Sequence, residues 1–413
     1  MVIKYRHIGF WLCSMIVLLC LSCSGSDSDS HGDDNGSQNV SKPSQLEIRV
    51  YIPGRPVVTR AEKVNADDDE RAVHSLDIWV FEHESGTLVG HLSPVVSESF
   101  EGGTFQMTVN DEFAKKEPRP TVDVFVTVNV FSNNTGITLP SPVSRDDLQD
   151  AKIQHIDETH DYFGLTNPII IPSNEGLPMS GVLIEKSVEG SLPVLRVQNP
   201  VKVVRAISKV RFIFSRTKQQ TEFGENQELK IVGITINNGM IPKAEYLFLK
   251  NDYSEDGSLP NYNPVKNNPE VESDYESGAD DGGNGIALAP LTAYADQIPE
   301  YENPSEYSYT GEVTGQDYED LVNSGVEAGH LAEIGKFYIR ESDKQVKGRI
   351  HYTIGTDATV KSSTFSMARA GDFSRNHTWI VYGYFSGKEL LSISSVNVLR
   401  WVMEYTDYPV YNW

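Results

Sequence analysis

Apolar and polar residues alternate with a period of two along much of the chain. In QLEIRVYI (45–52), Leu46, Ile48, Val50 and Ile52 fall on one side, and polar or aromatic residues fall on the other. This is the pattern of a strand with one face on a core. Pro53 and Gly54 end it. HSLDIWVF (74–81) repeats the pattern through Leu76, Ile78 and Val80, and Ser85-Gly86 marks a turn before Leu88. In TVDVFVTVNVF (121–131) five valines, Val122 to Val130, share one face. Phe125 on the other face predicts cover on both sides. PIIIP (168–172) and GVLIEKSV (181–188) are further short strands around LPMSG (177–181).

A longer β pattern fills LRVQNPVKVVRAISKVRFIFSR (195–216), with Val203, Ala206, Val210, Phe212 and Phe214 as its apolar members, and ELKIVGITINN (228–238) continues it. Strands resume at KFYIRES, VKGRIHYTIG, HTWIVYGYF and ISSVNVLRWVMEY. One segment reads as a helix. In GQDYEDLVNSGVEAGHLAEIG (315–335), Tyr318, Leu321, Val322, Val326 and Leu331 line one face, although Gly325 and Gly329 weaken it. The fold class is therefore all-β, with two β-sandwich-like domains and minor helical insertions. The boundary is expected near Pro200, giving domains 45–199 and 200–413. Residues 252–312, acidic and rich in Asn, Pro, Gly and Tyr, read as an insert of long surface loops.

The N-terminus is organised differently. Lys4 and Arg6 precede a mostly apolar run, Ile8 to Leu21, that is short for a membrane span. This is the anatomy of a signal peptide, residues 1–22. It leads to LSC, which looks like a lipobox with Cys23 as the lipidated residue, although Cys20 stands where leucine is usual. Residues 23–44, rich in Gly, Ser and Asp, form a lipidated tether. All three cysteines lie at or before position 23, so the mature chain has no cysteine pair to cross-link and depends on its core. The formal net charge is −23, and the leader takes two positive charges with it. Such a surface repels nucleic acid and anionic lipid, which leaves the lipid as the only membrane contact.

Candidate chemistry is sparse. QHIDETHDYFG gathers His155, Asp157, His160 and Asp161, residue types that bind metal, but no further ligand group accompanies them. A structural role is the expectation, with no metal or cofactor. The same holds for His377 in RNHTW at a strand start. No G-x-S-x-G and no phosphate-binding glycine loop occurs, so no catalytic residue is assigned and the chain is not read as an enzyme. Two other features stand out. VVTRAEK (57–63) places Arg60-Ala61 in a polar loop just after the first strand. The C-terminus ends not in polar residues but in Trp401, Val402, Tyr405, Tyr408, Val410 and Trp413.

Taken in order, Cys23, the first strand with VVTRAEK, SLDIWVF, PMSG, VVRAISKVRF, GKFYIRES, RNHTWIV and the terminal VNVLRWV…YNW resemble the fimbrillins, subunits of type V pili of Bacteroidia. The resemblance spreads over most of the mature chain, but the acidic insert has no counterpart in it. It implies sandwiches of the transthyretin-like, Greek-key type. It also implies export as a lipidated outer-membrane precursor bound for a cell-surface fimbrium that supports adhesion. An arginine-specific surface protease would cut between Arg60 and Ala61. A strand of another subunit, here around Val396, Val398, Trp401, Val402, Tyr405, Tyr408, Val410 and Trp413, would then replace the first one. Implied partners are other fimbrial subunits, that protease, and host or bacterial surface ligands. A tip or anchor subunit and a surface glycan-binding lipoprotein are the alternatives.

The residues support the exchange independently. Four buried aliphatic side chains at ~1.5–3 kcal/mol each make the first strand worth roughly 6–12 kcal/mol, against a typical domain stability of about 5–15 kcal/mol. A domain that loses it needs a replacement. One open groove and one free strand per subunit form a contact that does not close on itself.

Overall fold

The computed structural model describes residues 43–52, 70, 72–96, 100, 102–154, 176–217, 228–249, 275, 285–288, 298–310, 315–355, 357–367, 373–385 and 390–400. The alternating segments are strands. In the first half these are β1 (Gln45–Tyr51), β2 (Leu76–Glu82), β3 (Leu88–Leu92), β4 (Gly102–Thr108), β5 (Val122–Val128), β6 (Lys152–Gln154), β7 (Met179–Lys186), β8 (Val188–Ser191), β9 (Val194–Val197), β10 (Val201–Lys202) and β11 (Val204–Arg205). In the second half they are β12 (Ser208–Thr217), β13 (Leu229–Asn237), β14 (Ala244–Tyr246), β15 (Gly285–Ala287), β16 (Glu300–Tyr301), β17 (Ala332–Ile339), β18 (Lys347–Ile354), β19 (Asp357–Ser366), β20 (His377–Phe385) and β21 (Leu390–Arg400). Three short helices, α1 (Asp111–Lys115), α2 (Ser132–Thr135) and α3 (Arg145–Gln149), and a longer one, α4 (Gly315–Glu327), interrupt them.

The fold is all-β and multi-sheet. In the first half, one sheet runs β10-β1-β9-β8 with β4 also on β1, and the other runs β11-β7-β5-β2-β3. Leu46, Ile48 and Val50 of β1 meet Ile78 and Val80 of β2 and the valines of β5 in the core between them. Both faces of β5 are buried, as its composition predicts. Phe125 turns away from that core and packs edge-on against Phe81 and Phe248.

In the second half, β12 lies between β17 and β20, and β21 forms the edge beyond β20. A second sheet runs β15-β13-β18-β19. Val210, Phe212 and Phe214 of β12 face this second sheet's Ile231, Ile234 and Ile350. Ile213 points the other way, with Ile380 and Tyr382, and is covered by Tyr318 and Val322 of α4. Leu247, Phe248 and Tyr338 of the second half pack with Phe81, Phe125 and Val182 of the first, and β6 pairs with β14.

The structure refines four expectations. Around the boundary expected near Pro200, β10 and β11 still pair with β1 and β7, and the first strand of the new sheets begins at Ser208. Leu321 is 38% exposed and lies off the buried face of α4, which instead uses Tyr318 and Val322, with Leu331 just past the helix end. Gly325, read as a weakness, is a packing requirement. A Cβ there would sit 2.6 Å from Tyr307 and 2.7 Å from Leu331. The insert is also not all loop. Leu288, Ile298 and Tyr307 are buried, and β15 and β16 pair with β13 and β12.

Candidate functional site

β1 is the strand that the sequence singles out as replaceable, and its residues explain its place. Leu46, Ile48 and Val50 are fully buried and Ile52 is 5% exposed. The alternate residues, Glu47 and Arg49, reach across the sheet surface. Gln106 Nε2 donates to Glu47 Oε1 at 2.8 Å, Arg196 pairs with Glu47, and Arg49 Nη2 donates to the Gln198 carbonyl at 3.0 Å.

Both edges of β1 are occupied. On one edge it runs antiparallel to β4 over its whole length, from Gln45 opposite Thr108 to Tyr51 opposite Gly102. On the other it runs parallel to β9 at Gln45–Glu47 and to β10 at Val50–Tyr51. Gln45 N donates to the Pro193 carbonyl, and the Tyr51 carbonyl accepts from Val203 N, each at 2.8 Å. Gly102 lets β4 begin this close. Its φ is +141°, and a Cβ there would meet the Val50 carbonyl oxygen at 2.6 Å. A first strand in this position is the wall between β4 and the rest of its sheet. Taking it out would strand β4 and open the core along a groove lined with unpaired backbone groups.

Glu70 is fully buried where the halves meet. Lys209 Nζ lies 2.7 Å from Glu70 Oε1, Tyr338 donates its hydroxyl to the same oxygen, and Arg205 donates to the Glu70 carbonyl from Nε at 3.3 Å and Nη2 at 3.0 Å. Further along the same face of β12, Arg211 pairs with Glu333 at 2.7 Å and Glu319 at 3.1 Å. Burial works against its charge, but the two carboxylates outweigh it and hold the guanidinium above its ordinary pKa. Burial also pushes the Glu319 carboxyl up, with Arg211 and Lys209 opposing.

The motifs RES and SRN meet at this junction. Arg375 pairs with Glu341 at 2.7 Å with both side chains fully buried, and Arg205 N donates to Asn376 Oδ1 at 3.3 Å. Nearby, burial raises the Glu245 carboxyl well above its usual range, Glu341 adding to the shift and Arg375 and Arg340 opposing it. His377 Nδ1 lies 2.7 Å from the Arg375 carbonyl, a structural contact.

One Ser-His-Asp grouping was not visible in the sequence. Asp77 of β2, His91 of β3 and Ser93 just past β3 meet, with His91 stacked on Trp79 at 4.8 Å. Asp77 Oδ1 and Ser93 Oγ approach the same ring nitrogen, Nε2, at 3.1 and 3.2 Å. A relay needs the serine on one nitrogen and the carboxylate on the other, so this is a surface hydrogen-bond cluster. Among the described residues, no group of three or more His, Cys, Asp or Glu side chains is placed to hold a metal ion.

Of the residues singled out from sequence, Val396 and Val398 lie in β21, opposite Ile380 and Thr378 of β20. Cys23, Arg60, Ala61, Trp401, Val402, Tyr405, Tyr408, Val410 and Trp413 lie outside the described residues, as do the QHIDETHDYFG histidines and PIIIP.

No family model matches the chain, and no curated protein matches it. Solved structures similar to it are fimbrial and candidate cell adhesion proteins of Bacteroidia. A candidate cell adhesion protein from Parabacteroides distasonis ATCC 8503 is 13% identical, with a TM-score of 0.49 over 88% of this chain and 99% of that one. The tip fimbrial protein Mfa3 from Porphyromonas gingivalis, in a C-terminally truncated form, is 12% identical, with a TM-score of 0.47 over 86% and 99%. A fimbrilin, FimA, from Porphyromonas gingivalis W83 is 10% identical, with a TM-score of 0.42 over 83% and 90%.

Proposed function

We propose that the protein is a structural subunit of a surface fimbrium, exported as a lipoprotein on Cys23 and assembled by strand exchange. Cleavage between Arg60 and Ala61 frees β1 together with the lipid. A strand from a neighbouring subunit then fills the space between β4 and β9/β10.

One observation carries this reading. β1 is central to its sheet and to the core, yet its chain connection to the strands that follow runs through the segment that contains Arg60-Ala61. A strand buried on one face and paired on both edges cannot be lost without replacement. A strand whose connection to the rest of its domain can be cut can be exchanged.

The replacement strand is the segment after β21. β21 itself already forms the edge of its own sheet. Residues 401–413 follow it, and Trp401, Val402, Tyr405, Tyr408, Val410 and Trp413 supply apolar side chains for a groove that held Leu46, Ile48, Val50 and Ile52. Val396 and Val398 then stay with β20 while the tail crosses to the next copy.

Limited digestion of the chain starting at Ser24 with an arginine-specific protease tests this. A new start at Ala61 followed by a ladder of SDS-resistant oligomers is expected, and a chain ending at Arg400 should be cut without forming the ladder. Cutting without oligomers in the full-length chain would favour a tip subunit. Failure to cut at Arg60 in the folded protein would favour an anchor or a lipoprotein outside any fimbrium.

A further inference from the structure

Two Arg-Ala bonds lie between β1 and β2, at Arg60-Ala61 and at Arg71-Ala72. The scissile dipeptide is the same in both, so it does not by itself tell a protease which to cut. The two cuts are not equivalent for the product. A cut after Arg60 leaves Glu70 on the subunit, and a cut after Arg71 removes it.

We infer that Glu70 and the stretch Ala72–Ser75 form a fixed boundary to the processed segment, held by Lys209, Tyr338, Arg205 and Asn129, and that this clamp confines cleavage to bonds before Glu70. The inference refines the processing step proposed above, but the clamp itself rests on contacts of described residues alone.

A protease binds several residues on each side of the bond in an extended form, so a site must open locally before it is cut. Opening around Ala72 would undo contacts on both sides of the bond. On the N-terminal side, the Glu70 side chain would leave Lys209 at 2.7 Å and the Tyr338 hydroxyl, and its carbonyl would leave Arg205. Lys209 is only 2% exposed in its side chain, so opening would take the Glu70 carboxylate away from a buried charge.

On the C-terminal side, Asn129 acts as a bracket. Its Nδ2 donates to the Ala72 carbonyl at 2.7 Å and to the Leu177 carbonyl at 3.1 Å, and its Oδ1 accepts from His74 N at 2.7 Å and Ser75 N at 3.3 Å. Val73, between these contacts, is fully buried. Asn129 sits at φ +56°, a left-handed position that asparagine tolerates better than most residues. Gly176 (φ +64°) makes room for it, since a Cβ there would lie 2.4 Å from Asn129 Nδ2.

The clamp has a consequence for assembly. Lys209 begins the β12 face that carries Arg211 and its carboxylate partners, and Tyr338 belongs to the cluster joining the halves. With Glu70 retained, the junction keeps its buried ion pair after β1 has gone.

The test is a time course of limited digestion with an arginine-specific protease, read by the N-terminal sequences of the products. A synthetic peptide spanning residues 53–76 serves as the unfolded control. The peptide should be cut at both Arg-Ala bonds at comparable rates, and the folded chain should be cut after Arg71 at least a hundredfold more slowly than the peptide. Two variants leave the scissile sequence untouched, Lys209→Met and Asn129→Ala. Each should raise the appearance of the Ala72 start at least tenfold while cuts after Arg196 and Arg349, inside strands, stay absent. If Asn129→Ala opens those strand sites as well, it has unfolded, and Lys209→Met decides.

Equal cutting of folded chain and peptide after Arg71 would overturn the inference. So would variants that keep their fold and gain no Ala72 start. Oligomer formation is read separately. A protected Arg71 without oligomers would count against self-assembly by strand exchange and leave the clamp standing, and oligomers from a chain cut freely at Arg71 would do the reverse.

Discussion

The burial of β1 makes a sharp prediction about its two faces. Ile48 is fully buried at the middle of the strand, opposite Phe105 of β4, and Glu47 beside it points to the sheet surface. Ile48→Ala leaves a cavity in a core shared with Ile78, Val80 and the β5 valines, and truncations of this kind cost about 2–5 kcal/mol. Glu47→Ala removes a surface ion pair with Arg196 and a hydrogen bond from Gln106, worth at most about 1 kcal/mol. With a urea dependence of ~1–3 kcal/mol per molar, Ile48→Ala should lower the midpoint of the first unfolding transition by roughly 1–3 M, and Glu47→Ala should barely move it. Equilibrium urea unfolding followed by far-ultraviolet circular dichroism reads both. The transition to follow is the one in which the cluster around β1 is lost, because a chain with several buried clusters need not unfold in a single step. Equal effects of the two substitutions would refute the claim that β1 is held by its apolar face, and the case for a replaceable core strand would fall with it.

Further outcomes follow from the same contacts. Gly102→Ala places a Cβ against the Val50 carbonyl at a backbone angle that alanine resists, and should destabilise the first half by about 1–3 kcal/mol in the same melts; no change would contradict the close approach of β4 to β1. Arg60→Ala should leave a lipidated monomer when membrane fractions are sized. Filaments from it would show that Arg60 is not the required site. Burial raises the Glu245 carboxyl above its unfolded value of 4.5, so the neutral form favours the folded state at low pH. That stability is fully present below about 4.5 and is lost as pH rises through the folded-state pKa. Glu245→Gln should flatten this part of the dependence of Tm on pH, and an unchanged slope would mean that Glu245 is not its source.

The strands were legible because a period of two is a local signal. β1, β2, β5 and β12 fall where Leu46, Ile78, Val124 and Phe212 predict them. The boundary was harder to read, because residues 195–216 form one continuous apolar pattern. The chain breaks it into four strands and changes sheets within it, and only pairing partners distant in sequence reveal the change. Glu70 was illegible for the same reason. It closes an acidic run that looks solvated, and its partners Lys209 and Tyr338 lie far along the chain. A signal did exist. Lys209 and Arg211 alternate with Val210 and Phe212, so two cations share a strand face with Ile213, and buried cations on a covered strand call for anionic partners. Asn129 carried no signal beyond its place at the end of a valine-rich strand.

Strand replacement is tested most directly by hydrogen exchange on the strands that flank β1. The amides of β4 (102–108) and β9 (194–197) would be followed in the uncut chain, in the cut monomer freed of β1, and in the assembled oligomer. Exchange should be slow in the uncut chain, fast in the cut monomer, and slow again in the oligomer, where a strand from another copy fills the groove. Amides that stay protected once β1 has left, or that remain open in the oligomer, would contradict the account.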